Sequence, residues 1–199
     1  MPTGVALHDA RARLLAAAER VLVRDGAGGL TSRAVTEEAG VAKGVLHRHF
    51  ADFDDFLAEL VRDRIARLTA EAGELREAPG SATLVSNLAE VLTGIFTPVN
   101  LGLVGIVMTR DELRSRLRAT TPRGIPILTE ATAGLSAYLE AERRLGRITA
   151  DTDVDKLALT LIGTGHLLFA GELGGPPDAS AVREVVEAII VGAEPGVHP

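Results

Sequence analysis

The chain has 199 residues, of which 46% are hydrophobic and 3% aromatic, and it contains no cysteine. The lack of cysteine excludes disulfide bonds, thiolate nucleophiles and cysteine-ligated metal sites, and it predicts a reducing, cytoplasmic setting. The formal net charge of −6 argues against a nucleic-acid partner when averaged, but residues 1–50 hold seven basic and five acidic side chains, which predicts a basic head on an acidic body.

Two short helices are predicted after a longer first one. Apolar residues recur at helical spacing over residues 14–22, and Gly26 is expected to end that helix. Thr31 or Ser32 is expected to cap the second helix, because a hydroxyl there can accept a free amide of the first turn. Gly40 is expected to end it, since glycine adopts a left-handed conformation at the lowest cost.

The rest of the chain also shows helical patterns throughout. A short third helix carries the apolar pair Leu46 and Phe50, and a longer fourth helix fades before a joint at residues 79–80. Further helices are predicted over residues 84–96, 100–119, 128–146, 157–169 and 182–190. We find no strand pattern and no internal repeat, so the predicted fold class is all-α.

No targeting or membrane segment is expected. The first residues lack a basic stretch followed by an apolar run, so they do not resemble a signal peptide. The most apolar run, residues 157–171, is shorter than the ~20 residues that span a bilayer, and it contains His166. We therefore predict a buried helix there and no membrane partner.

The second and third helices together indicate a helix-turn-helix. They meet at Gly40, and the short third helix crowds Lys43, His47, Arg48 and His49 onto its surface. The apolar positions expected to hold the two helices together are Val35, Ala39, Val41 and Leu46. The alternative is an ordinary small helical hairpin, which the combination of preceding helix, glycine turn, donors and closing phenylalanine makes less attractive.

Residues 31–50 read TSRAVTEEAGVAKGVLHRHF and resemble the TetR family of transcriptional repressors, whose pattern is close to T-x-x-x-I-A-x-x-A-G-V-S-x-G-x-L-Y-x-H-F. The matching positions are Thr31, Ala39, Gly40, Val41, Gly44, Leu46, His49 and Phe50. Val35 replaces an isoleucine, and Thr36 stands where a small alanine is usual. The resemblance is specific for residues 1–50 and architectural beyond them. It implies an N-terminal three-helix helix-turn-helix head joined to a larger helical ligand-binding and dimerisation body.

The segment departs from the family pattern where the family contacts DNA. Ala42 stands where a serine usually caps the third helix, and losing such a cap costs ~1 kcal/mol. His47 replaces the usual tyrosine, and Phe53 stands where a lysine is often found. Asp54 and Asp55 suit a helix N-terminus but repel DNA. These changes predict weaker or altered DNA contacts on an unchanged fold.

The resemblance implies a DNA interface at the starts of the second and third helices. The DNA-binding residues that it implies are Thr31, Arg33, Lys43, Gly44, Val45, His47, Arg48 and His49. Thr31 and Arg33 would lie beside the DNA backbone, while Gly44 would let the protein backbone approach a phosphate. Lys43 can donate to guanine edges, and Val45 can touch a thymine methyl. The implied partner is double-stranded operator DNA.

Simpler interpretations of this region stay open or are set aside. Arg48 can be a solvated charge, and His49 can be a packed side chain bonded to the backbone. The acidic run at residues 52–55 superficially matches a motif of terpene cyclases, but a solvated helix start lacks an enclosing cavity. His47 and His49 are two apart on a helix and point to different sides, so they do not form a metal site.

The body offers an apolar interior without a catalytic constellation. We find no dinucleotide or phosphate loop and no Ser–His–acid group, so no enzymatic activity, cofactor or metal is expected. The resemblance implies a small-molecule effector, and the candidate effector residues are Phe96, Leu103, Val107, Met108, Leu135, Tyr138, Leu139 and His166. Tyr138 and His166 bring polar atoms into an apolar layer, where they need a partner. Plain core is the alternative for every candidate, and His166 can instead lie in the dimer interface.

We therefore predict a homodimeric, ligand-responsive repressor that a small apolar effector releases from its operator. The predicted domains are the head over 1–50, a connecting helix over 51–78, and the effector and dimerisation domain over 79–199. The dimer is expected to form through the helices near 128–144 and 157–169, since Gly163 and Gly165 permit close helix approach. The alternative is a helical small-molecule-binding protein or small helical enzyme with a weak DNA-binding head.

Overall fold

The computed structural model describes residues 4–77, 79–171, 176–191 and 193, with side chains over 10–73 and at each described position from 79 onward. Every regular element in these residues is an α-helix, which confirms the predicted fold class. The helices are α1 Gly4–Gly29, α2 Ser32–Glu38, α3 Gly44–His49, α4 Phe53–Glu77, α5 Leu84–Ile95, α6 Pro98–Thr109, α7 Asp111–Leu117, α8 Leu128–Arg144, α9 Val154–Phe169 and α10 Ala179–Ile190. Within the described ranges no single helix is long and apolar enough to cross a bilayer, and only the broken pair α5 and α6 meets both criteria together.

The helix boundaries in the head follow the sequence signals. Gly26 interrupts α1 with φ 69° and ψ −173°, as expected for a helix-ending glycine. Thr31 caps α2, since its hydroxyl oxygen accepts an amide of the first turn at 3.1 Å. Gly40 follows α2 with φ 64°, and the amide of Val41 donates to the carbonyl of Thr36 at 3.0 Å. This left-handed glycine with a backward amide bond is a Schellman motif, so the turn between α2 and α3 is set by local sequence.

The helix predicted over residues 100–119 is in fact two helices, α6 and α7. Arg110 breaks it by adopting an extended conformation with φ −121° and ψ 100°. Its guanidinium donates to the carboxylate of Asp54 at 2.7 Å, and Asp111 and Glu112 in the first turn of α7 favour a new helix start at this point. The break depends on a contact with a distant residue, so the local pattern did not reveal it.

Packing divides the chain into two compact units. The first consists of residues 1–64 and 98–126, and the second of residues 65–97 and 127–199. In the first unit α1 packs on α2 and α6, and a Cβ added at Gly102 of α6 would lie 3.0 Å from Leu22 of α1. In the second unit α8 packs along α9 and α10 packs on α5. Residues 98–126 therefore pack with the head, while the functional domains assigned to 1–50, 51–78 and 79–199 stay a prediction.

Candidate DNA-binding head and ligand cleft

An apolar contact fixes α3 against the rest of the head. Leu46 of α3 and Val35 of α2 are both fully buried. At the end of α3 the ring of Phe50 meets Phe56 of α4 edge-on, with centroids 5.1 Å apart, and the guanidinium of Arg11 lies 4.9 Å from the Phe50 centroid. These contacts use one face of α3, so its opposite face is available to a partner.

Arginines of α1 bind the C-terminal part of α2. Arg13 donates to the carbonyl oxygen of Ala39 at 2.9 Å, where the helix leaves a carbonyl free. Arg20 and Arg24 both bind the carboxylate of Glu38, at 2.7 and 2.6 Å, and these hydrogen bonds lower the pKa of Glu38. The positive charges of α1 are therefore engaged in holding the helix-turn-helix.

The basic residues at the start of α3 and on its surface behave differently. Lys43, His47 and Arg48 are exposed, and none of them has a hydrogen bond or ion pair to another residue that the structure describes. Arg33 of α2 is bound to Glu37 at 2.7 Å, although both side chains are mostly exposed. Of the seven basic residues in positions 1–50, Lys43 and Arg48 are thus the two without a partner among the described residues.

The other predicted DNA-binding residues lie around this face. Thr31 is exposed but already serves as the cap of α2. A Cβ added at Gly44 would meet no atom within 4 Å, so the space in front of this residue is open. Val45 is half-buried, and the half-buried ring of His49 lies 6.4 Å from that of Phe50. The structure therefore brings all eight predicted residues to the α2–α3 segment, and their role in binding DNA stays a prediction.

Local contacts accommodate the departures from the family pattern. Thr36 is buried, and its hydroxyl donates to a carbonyl oxygen one turn earlier in α2 at 2.9 Å. Phe53 stacks on Phe56 with centroids 5.6 Å apart, which explains an apolar residue where a lysine is frequent. Ala42 has no side-chain oxygen, and Lys43 at the start of α3 provides no side-chain cap. The missing cap is the one departure for which these contacts do not compensate.

Arginines pair with the acidic residues at the start of α4. Asp52 accepts two hydrogen bonds from the guanidinium of Arg116, at 2.9 and 2.8 Å, and these bonds hold the pKa of Asp52 below its ordinary value. Asp54 accepts from Arg110 at 2.7 Å, and Asp55 accepts from a backbone amide ahead of the helix at 3.1 Å. Arg116 of α7 and Arg110, which precedes α7, therefore offset much of the negative charge that was expected to repel DNA.

A buried polar network lies in the second unit. The Tyr138 hydroxyl donates to Glu142 Oε1 at 2.5 Å and accepts from Asn87 Nδ2 at 2.9 Å. Glu142 Oε1 also accepts from the amide of Gly80 at 3.2 Å and from the Arg147 guanidinium at 3.3 Å. The Oε2 atom of Glu142 lies 3.2 Å from the same guanidinium as an ion pair. Burial, reinforced by the bond to Glu142, raises the pKa of Tyr138 above its ordinary range. The polar partner expected for Tyr138 is thus supplied by the protein.

The second unit also contains an apolar cleft of about 240 Å³ between α4, α5 and α8. Its lining residues are Leu68, Glu71, Ala72, Glu90, Val91, Gly94, Ile95, Ala131, Gly134 and Leu135. Helices α4 and α8 approach closely at Gly134, where an added Cβ would lie 2.8 Å from the Cβ of Ala72. Glu71 and Glu90 are exposed, so the cleft combines an apolar floor with an acidic rim.

Only Leu135 of the eight predicted effector residues lines this cleft. Phe96, Tyr138 and Leu139 are buried in the second unit, and Leu103 and Val107 are buried in the first. Met108 also belongs to the first unit and is half-exposed. The half-buried His166 has its ring 6.1 Å from that of Phe96. The effector role of all eight residues stays a prediction.

The two glycines of α9 point in different directions. A Cβ added at Gly165 would lie 2.5 Å from the ring of Phe96, whereas one added at Gly163 would meet no atom within 4 Å. Gly165 therefore permits the close approach of α9 to α5 within one subunit, and the expectation that it faces a second subunit is wrong. Gly163 lies on the exposed face.

Sequence reasoning missed Glu71 and Glu90. Each lies one helical turn from another lining residue: Glu71 lies three residues after Leu68, and Glu90 lies four residues before Gly94. An acidic residue beside an apolar helix face was therefore the available signal. Across the described side chains, no three histidine, aspartate or glutamate residues come together as a metal site.

Comparison with known proteins agrees with this architecture. The family model for bacterial regulatory proteins of the tetR family matches residues 14–60, which include α2, α3 and the start of α4. The N-terminal head of this chain is therefore similar to that of the TetR family. The TetR head thus coincides with the segment whose turn, cap and buried contacts are described above.

Relatives support the same assignment. An uncharacterised HTH-type transcriptional regulator of Mycobacterium tuberculosis is 27% identical over 112 residues, or 54% of this chain, and the match spans only 57% of that relative. A TetR-family transcriptional regulator from Agrobacterium tumefaciens has the same fold, with a TM-score of 0.70 at 14% identity over 94% of this chain and 99% of that one. The multidrug binding protein EbrR, solved with imidazole, is 28% identical, with a TM-score of 0.57 over 90% of this chain and 93% of its own.

Proposed function

We propose that this protein is a dimeric, cytoplasmic transcriptional repressor of the TetR family that binds operator DNA and that a small effector releases, and that it catalyses no reaction. The observation that carries the proposal is the pair Lys43 and Arg48, exposed cations of the head without a partner among the described residues. An unpaired cation can bind a phosphate or a guanine edge without first losing an ion pair. The engaged arginines of α1 leave this role to α3.

The effector part of the proposal is supported by the cleft in the second unit. Its apolar lining suits a small organic molecule, and EbrR, the related structure at 28% identity, is a multidrug binding protein. Release requires that the effector binds one conformation of the body better than another, because equal affinity for both would shift nothing. Leu135 is the predicted effector residue for which the cleft offers the most direct support.

The dimer part of the proposal is supported by an apolar stripe on α9. Leu159 and Leu167 are 63% and 76% exposed, and Gly163 lies between them at the spacing of one helical turn. Exposed leucines around a glycine allow a second helix to approach closely. Sedimentation of the wild type is expected to show a dimer, and Leu159→Glu combined with Leu167→Glu is expected to give a monomer. Val23→Glu, at a 61% exposed valine of α1, is the matched control and should remain dimeric.

Selection of DNA by the full-length protein from a random library tests the regulatory function. The expected result is an enriched motif with two half-sites, bound at physiological salt by the wild type and much more weakly by the double variant Lys43→Ala with Arg48→Ala. A folded, dimeric protein that enriches no sequence would contradict the proposal. It would instead favour the helical small-molecule-binding alternative.

A further inference from the structure

We propose that the cleft between α4, α5 and α8 binds a small organic cation, one positively charged nitrogen joined to an apolar group. The inference rests on the proposed function in taking this cleft as the effector site, and it adds the charge and size of the ligand. Nothing in the apolar candidates predicted from the sequence indicated a charged ligand.

The walls of the cleft determine the apolar part of the ligand. Eight of the ten lining residues are apolar or glycine, and Leu68, Ile95 and Leu135 are nearly buried beneath the surface. Such a floor removes an apolar group from water without presenting a polar atom that would need a partner. An aliphatic or aromatic group therefore fits the interior of the cleft better than a sugar or a nucleotide.

The rim of the cleft determines the charge of the ligand that it suits. Glu71 and Glu90 are its two charged lining residues, and the lining contains no basic residue. Neither carboxylate has a hydrogen bond or an ion pair within the described part of the chain. In contrast, Glu140 of α8 binds both Arg143 and Arg144. Two carboxylates without a cation at one opening create a negative potential, which attracts a positively charged ligand and repels an anionic one.

The volume limits the ligand to a small molecule. Drug-sized ligands occupy sites of ~300–1,000 Å³, and this cleft measures about 240 Å³. A single ring or a short branched chain carrying an ammonium group therefore suits it. The ammonium group would lie at the rim, where the carboxylates are, and the apolar group would lie on the leucine and isoleucine floor.

The test uses two ligands that differ only in charge. 3-Hydroxyphenyltrimethylammonium and 3-tert-butylphenol have the same shape, because a carbon atom replaces the charged nitrogen. Calorimetric titration of the full-length protein without DNA is expected to show that the ammonium compound binds at least about fivefold more tightly, with an affinity that falls as salt is added. The affinity for the neutral compound should not depend on salt.

Two substitutions at the rim and one control test whether the rim carboxylates cause the difference in affinity between the two compounds. Glu71→Gln and Glu90→Gln keep the size of the side chain and should each weaken binding of the ammonium compound about threefold, as expected for exposed charge pairs. The affinity for 3-tert-butylphenol should stay unchanged in both variants. Glu187→Gln removes the same charge from the exposed face of α10, away from the cleft, and should change neither affinity.

A fourth substitution tests the location. Gly94 lines the cleft, and a Cβ added there meets no atom within 4 Å, so Gly94→Leu is designed to occupy the cleft and also improves helix propensity. This variant should keep its thermal stability and lose both ligands. Unchanged binding by this folded variant would overturn the assignment of the cleft.

Two results would contradict the proposal that the ligand is positively charged. One is equal affinity for the two compounds with no effect of Glu71→Gln or Glu90→Gln, and the other is no saturable binding of the ammonium compound at millimolar concentration. Ligand binding is measured without DNA, so a failure to bind operator would contradict the proposed repressor function and leave this inference standing. Conversely, operator binding by a protein whose cleft does not bind the ammonium compound would leave the head's function intact and remove the inference.

Discussion

Helix α3 and the network around Tyr138 both place several polar side chains close together, but their partners differ. At the start of α3 and on its surface, Lys43, His47 and Arg48 have no partner among the described residues. In the second unit, Tyr138, Asn87 and Glu142 bind one another in the protein interior. Polar groups satisfied internally contribute to stability, whereas unsatisfied exposed groups are available for binding. The comparison predicts that substitutions in the two regions affect different measurements.

The largest effect on stability is expected from Glu142→Ala. This substitution leaves the Tyr138 hydroxyl and the Arg147 guanidinium without their carboxylate partner, and breaking a buried pair in this way costs about 3 kcal/mol of the free energy of unfolding. Urea denaturation measures the change. Glu140→Ala, which removes only exposed ion pairs, is the control and should cost less than about 1 kcal/mol. Similar decreases in the free energy of unfolding of the two variants would show that the buried network contributes no more to stability than exposed ion pairs do.

Lys43→Ala and Arg48→Ala are expected to have the opposite profile. Each should change the free energy of unfolding by less than about 0.5 kcal/mol, because the removed charge has no partner in the described structure. Each should weaken operator binding about tenfold and lower the salt slope by about one unit. Operator titration at several salt concentrations measures both quantities, and Arg183→Ala on the exposed face of α10 is the charge-matched control. A loss of stability without a change in salt slope would argue against α3 as the DNA-binding helix.

Alkaline pH tests the network without a substitution. Tyr138 is the single tyrosine of the chain, and burial followed by its bond to Glu142 raises its pKa. The native state therefore holds this proton more tightly than the unfolded state, whose tyrosine has a pKa of ~10. The stabilisation is complete below that pH and decreases above it by up to ~1.4 kcal/mol per pH unit. Tyrosinate absorbance should appear only as helical circular dichroism is lost, and tyrosinate in a fully helical protein would contradict the burial.

His47 is expected to make operator binding depend on pH. Histidine is the side chain whose charge ordinarily changes between about pH 8 and pH 5, and the protonated ring can donate a charge-assisted hydrogen bond to a phosphate. Binding should therefore take up protons, and operator affinity should rise severalfold as the pH falls through this range at fixed ionic strength. His47→Tyr should bind with little pH dependence. Equal pH profiles for the two proteins would remove His47 from the phosphate contact.

The smallest effect is expected from Ala42→Ser. The serine would supply the side-chain cap that α3 lacks, which contributes about 1 kcal/mol. Thermal denaturation should show a raised midpoint, and Ala42→Gly should show a much smaller change. A midpoint equal to that of the wild type would mean that the start of α3 has no free amide for the serine to bind.

Local signals predicted the head well because its boundaries are set by nearby residues. Thr31 caps α2 from within the same turn, and Gly40 adopts the left-handed conformation expected at its end. The helical period also placed Leu46 inside and Lys43 outside on α3. Each of these features depends on residues a few positions apart, which is the range over which a sequence pattern carries information.

Features that depend on distant residues were not predictable in the same way. The break between α6 and α7 involves Arg110 and Asp54, which are 56 residues apart. The cleft combines Glu71 and Glu90 from two helices, and neither helix alone indicates an opening. Gly165 lies against Phe96 only because of the rotation of α9, which the nearly all-apolar pattern of that helix left undetermined. Periodicity identifies the faces of a helix but does not identify the neighbour that each face meets.

The packing of residues 98–126 with the head has a consequence for protein engineering. Exchanging operator specificity between TetR proteins by joining fragments at residue 50, where the family motif ends, would separate side chains that are in contact. Leu22 would lose its close neighbour Gly102, Arg11 would lose the 2.9 Å hydrogen bond to Glu59, and Phe50 would lose its edge-on contact with Phe56. A chimera that keeps residues 1–64 and 98–126 from the same parent preserves these contacts. For this chain, the transplantable part is therefore discontinuous in sequence and includes α6 and α7.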